Sequence, residues 1–117
     1  MVSIESVERG LARYIDESFL PAFPKDSAKG FAMGMAASLL VKRGGNMLKA
    51  YAKNPVLQQM GIVTPDGAVD LDVIRDAAMS NVPASGVAVD LPMGLSLRIK
   101  QDDVNAIYNA IMREASL

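Results

Sequence analysis

Lys42, Arg43, Lys49 and Lys53 fall within a stretch of 12 residues. If the helices that carry them stay in register, Lys42, Lys49 and Lys53 share one face. Such a strip can grip phosphates, so these four cations are the candidate nucleic-acid contacts. Their ordinary role is to solvate the outer side of an apolar helix. Only Tyr51 interleaves with them as an aromatic residue, which falls short of a stacking platform for single strands. A second charged group, Asp66, Asp70, Asp72 and Asp76, invites comparison with a calcium loop. That pattern needs oxygen ligands at its first, third and fifth positions, and Gly67 directly after Asp66 breaks it. Each carboxylate has an architectural reading instead: Asp66 in a turn, Asp70 as a helix cap, Asp72 in the first helical turn and Asp76 on a solvated face.

Covalent catalysis finds little to work with. The chain has no histidine and no cysteine, so Ser-His-Asp and Cys-His arrangements are excluded. Ser38 and Lys42 stand one residue too far apart for an S-x-x-K pair. No phosphate-binding loop is present, because Lys49 lies four residues past Gly45 and is followed by Ala50. The sequence therefore implies a non-catalytic protein with no cofactor and no metal.

The remaining chemistry is that of contact. Gly30 to Val41, GFAMGMAASLLV, has no charge and is followed at once by Lys42, Arg43, Gly44 and Gly45. Glycine inside a helix costs about 1 kcal/mol relative to alanine, so Gly30 and Gly34 imply close approach by another element. Gly30, Met33, Gly34, Met35, Ser38 and Leu39 are the candidate interface, with methionines offering an adaptable surface. The partner across it is either another copy of the chain or the chain's own core. The run is too short to span a membrane, which takes about 20 apolar residues, and Lys29 and Lys42 bound it.

Composition supports this reading. A chain of 117 residues with 50% hydrophobic and 21% charged side chains suits a single folded domain over 1–117, with self-association as an outlet for excess apolar surface. Residues 1–60 hold 8 Lys and Arg against 5 Asp and Glu, whereas 61–117 hold 4 against 8, a net of +3 facing one of −4. The lack of cysteine and of a secretory leader points to the cytoplasm.

The elements that must position these residues follow from spacing. Ser3 caps a first helix whose stripe is Ile4, Val7, Leu11, Tyr14, Ile15, Ser18 and Phe19. Pro21 and Pro24 end it, and Asp26 or Ser27 caps the second helix, which Gly44 and Gly45 should stop. Asn46 then caps a third, Met47 to Lys53, and Asn54 with Pro55 opens a short turn closed by Gly61. Thr64, Pro65, Asp66 and Gly67 make a turn across which Ile62 and Val63 can pair with Ala68 and Val69. Asp70 caps a helix to about Ser80. Alternation then predicts a hairpin of about 87–91 and 95–100, joined by Pro92, Met93 and Gly94 in a type I turn ending in a left-handed residue, with Leu91 opposite Leu95. The final helix carries Val104, Ile107, Tyr108, Ile111, Met112 and Ala115 and should cover the hairpin's apolar face. A winged-helix reading fails because the helix before the hairpin, LDVIRDAAMS, is acidic and one helix of that motif is missing.

From Gly61 to Ile74, through the hairpin to the closing helix, the order of elements resembles small proteins encoded by Gram-positive bacteria and their prophages. That resemblance implies an accessory or assembly role and brings no activity with it. The fold expected is α+β, mostly helical, with the C-terminal hairpin packed against amphipathic helices, and the partner expected is a second copy.

Overall fold

The computed structural model describes residues 1–18, 28–90, 94 and 96–116, with the backbone alone at 29, 30 and 33. The turn at Pro21 and Pro24, the second-helix caps Asp26 and Ser27, and Phe19, Leu91, Pro92, Met93 and Leu95 lie outside these residues. The chain runs β1 (Val2–Ser3), α1 (Ile4–Ser18), α2 (Ala28–Ala52), α3 (Pro55–Gln59), β2 (Ala68–Val69), α4 (Leu71–Asn81), β3 (Val87–Asp90), β4 (Ser96–Ile99) and α5 (Gln101–Ala115). It is a mostly helical α+β fold, as the patterning predicts.

Local signals act where the spacing puts them. The Ser6 N–H donates to Ser3 Oγ at 3.2 Å, Asn54 Oδ1 accepts from the Val56 and Leu57 N–H groups at the start of α3, and Asp70 Oδ1 accepts from the Val73 N–H at 3.4 Å. Each satisfies a donor that the first helical turn leaves open. Asp103 does two jobs. Its Oδ2 accepts the Lys100 N–H at 2.8 Å, and its Oδ1 accepts the Tyr14 hydroxyl at 2.6 Å, tying α5 to α1.

The second helix corrects the sequence reading. α2 passes through Gly44 and Gly45 without a break and absorbs the expected third helix. The reason is tertiary. A Cβ on Gly45 would run into the Glu8 carboxylate, Lys49 Nζ lies 3.7 Å from the same carboxylate, and Leu48 and Ala52 pack into a cluster with Ile4, Val63 and Val69. Burial of those side chains outweighs two glycine penalties of about 1 kcal/mol each.

α1 lies between α2 and α5. Tyr14, Ile15 and Ala110 form a cluster that receives Ala37, Leu40 and Val41 of α2, and Val2, Leu71 and Ile111 form another. At the α1–α5 crossing Gly10 is buried, and a Cβ there would fall 2.5 Å from Ile111 Cα. Beside this seam the buried Glu114 carboxylate meets Arg13 at 2.8 Å and Arg9 at 3.8 Å.

β2 is flanked on both sides. Val2 and Ser3 pair with Val69 and Ala68, an arrangement the sequence did not announce, while Val63 forms the anticipated bridge to Val69. The hairpin has the register that opposing Leu91 and Leu95 would require, with Asp90 across from Ser96 and Val87 across from Ile99. Gly94 has φ +73°, the left-handed residue predicted to end the turn. The stripe on α5 is directed elsewhere than expected: it packs on α1, β1 and α4, and no described hairpin residue joins the three clusters.

Candidate functional site

The N-terminal half of α2 presents an exposed apolar face. Phe31, Met35 and Leu39 recur at four-residue spacing, so each stands about one turn above the last. They are 68%, 54% and 53% exposed. An aromatic ring, a thioether and an isobutyl group on successive turns form a contiguous apolar patch, which is more informative than scattered exposed leucines. Ser38 is exposed beside them, and a Cβ built on Gly34 meets no atom within 4 Å. The other side of the same helix is held by the small residues Ala32 and Ala36, both buried, and by Ala37, Leu40 and Val41.

Of the six predicted interface residues, Gly34, Met35, Ser38 and Leu39 therefore come together on one open face and, with Phe31, line a hollow of about 410 Å³. Gly30 and Met33 belong to α2, but their surroundings lie outside the described residues. At Gly34 no described element of the chain approaches the backbone closely. Phe31, outside the six expected residues, joins this face at the same four-residue spacing as Met35 and Leu39.

On the other side of Gly34 and Ser38 runs a groove of about 630 Å³ between α1 and α2. Its α1 wall carries Glu8, Asp16 and Glu17 together with Arg13, and its α2 wall ends at Lys42. Arg13 is engaged by Glu114 at 2.8 Å, and its contact with Glu17 is an exposed one at 3.8 Å. Carboxylates thus lie beside the apolar patch, and Lys42 stands two turns beyond Gly34.

Unbroken α2 carries Lys42 and Lys49 two turns apart on one side, and Lys53 lies just past its end. Lys42, Arg43 and Lys53 are exposed, whereas Lys49 leans toward Glu8. The strip is weakened by that pairing. The aspartates are dispersed among structural partners: Asp66 accepts the Thr64 hydroxyl, Asp70 caps α4, Asp72 accepts the Tyr108 hydroxyl at 2.5 Å, and Asp76 lies 3.3 Å from Arg75. Arg75 stacks over the Tyr108 ring at 4.4 Å. The hydrogen bond to Asp72 raises the Tyr108 pKa above its ordinary value, with desolvation adding to it. Among the described residues no group of three or more acidic side chains is placed to hold a metal ion.

A third hollow, about 230 Å³, sits where α1, α4 and α5 meet Leu48 of α2, between Val7, Leu11, Leu71 and Ile107, with Arg75 and Tyr108 among its lining. Nothing in the sequence pattern announced it, because its walls are drawn from four separate helices. Among the described residues no helix is long and apolar enough to cross a membrane.

The fold and this face together define a small, mostly helical α+β chain with an exposed apolar helix surface among its described residues. Comparison with protein-family models, curated proteins and solved structures finds no match to the chain.

Proposed function

We propose that this chain is a non-catalytic assembly protein of the cytoplasm that associates with copies of itself through the exposed face of α2. The observation that carries the reading is the patch of Phe31, Met35 and Leu39, open at Gly34. Covering such a patch removes apolar surface from water, at about 25 cal/mol per Å². Gly34 and Ser38 let a second helix approach closely, as small residues four apart do in tightly packed helix pairs. The lack of cysteine is in keeping with the compartment.

Light scattering at micromolar concentration should give a mass above that of one chain. Combining Met35→Glu with Leu39→Glu should return it to a single chain while the circular dichroism spectrum stays the same, because both side chains are exposed. A single-chain mass for the unaltered protein across the micromolar range would sink the reading.

A further inference from the structure

Resting on that reading, we infer that two copies pair face to face with their α2 helices antiparallel, about a twofold axis near Ser38. The distribution of charge along the face carries this. α2 holds no acidic residue, and its exposed side is apolar at Phe31, Met35 and Leu39 and carries the cations Lys42, Arg43 and Lys49 further along. A parallel pairing would set Lys42 against Lys42 and Arg43 against Arg43 in the partner, and like charges brought together oppose association. Antiparallel pairing about Ser38 instead sets Lys42 of one copy across from Gly34 of the other. Asp16 and Glu17 of α1 line the groove beside Gly34, so each basic end meets an acidic wall. A twofold axis makes that contact occur twice, since an isologous interface repeats every pair. Gly34, whose Cβ position is vacant in the single chain, leaves room for the incoming Lys42 stem to lie along the backbone.

The chain has no cysteine, which makes disulfide trapping clean. A disulfide needs Cα atoms within about 7 Å. Under mild oxidation Ser38→Cys should crosslink to itself in high yield. Asn46→Cys, on the exposed side of α2, should not, because antiparallel pairing sets the two copies of residue 46 about 24 Å apart along the helices at 1.5 Å per residue. Lys42→Glu combined with Arg43→Glu should weaken self-association at least tenfold. Mixing that variant with one carrying Asp16→Lys and Glu17→Lys should restore a dimer of one chain of each kind. Self-crosslinking of both cysteine variants would show parallel helices and overturn the inference, and so would a dimer in which neither crosslinks. A protein that is monomeric by light scattering overturns the self-association reading itself, so the two failures are told apart.

Discussion

Gly10 and Gly34 both lie inside helices, and they answer to opposite surroundings. At Gly10 the backbones of α1 and α5 touch, and a Cβ would sit 2.5 Å from Ile111 Cα. At Gly34 the same added atom would meet nothing within 4 Å. The first glycine is explained by the folded chain alone. The second costs helix stability without a close approach by any described residue, which supports the proposal of a contact surface there. The contrast teaches that a glycine in a helix reports close approach only after the neighbouring backbone has been located.

The largest effect should come from breaking the packed side. Gly10→Ala forces backbone atoms of α5 to move, and overpacking of this kind should destabilise the protein by about 2 kcal/mol despite alanine's better helix propensity. Urea denaturation would show it as a lower midpoint with an unchanged slope. An unchanged midpoint would mean that the α1–α5 crossing has slack.

Tyr14 tests the same seam by pH. Its burial, then its hydrogen bond to Asp103, hold the phenol well above the ordinary pKa of 10.0. A raised folded-state pKa contributes stability that is fully present below the unfolded value and is lost as pH rises above it. Stability should therefore fall from pH 9 to 11 more steeply in the unaltered protein than in Tyr14→Phe. Below that window, Tyr14→Phe should cost about 1 kcal/mol, in the range of a net hydrogen bond. Parallel pH profiles for the two proteins would remove Tyr14 from the account.

The smallest effect sharpens the open side. With free space around its Cβ, Gly34→Ala should raise stability by about 0.5–1 kcal/mol in dilute solution, through helix propensity and the restricted unfolded chain. A loss at that position would show that the monomer already uses the space.

Several features are legible in the sequence. The caps at Ser3, Asn54 and Asp70, the left-handed Gly94 and the hairpin ladder each depend on groups a few residues apart or on strict alternation. The grouping of Gly34, Met35, Ser38 and Leu39 on one helix face also follows from their spacing. Other features are not legible there. Gly44 and Gly45 read as a stop, yet Glu8, Ile4 and Val69 hold the helix through them. The α5 stripe read as a lid for the hairpin, yet α1 and α4 claim it. An amphipathic pattern states that a face is buried and does not state what buries it.

By itself, then, the sequence determined where helices begin, how the hairpin turns and which stretch lacks charge, because those depend on local hydrogen bonds and on side-chain period. Only the tertiary structure decided that Val2 pairs with Val69, that Gly10 is the site of close backbone approach and that Gly34 faces open space. Those outcomes join residues distant along the chain, and their energies come from backbone and side-chain contacts that exist only once the helices are placed against one another.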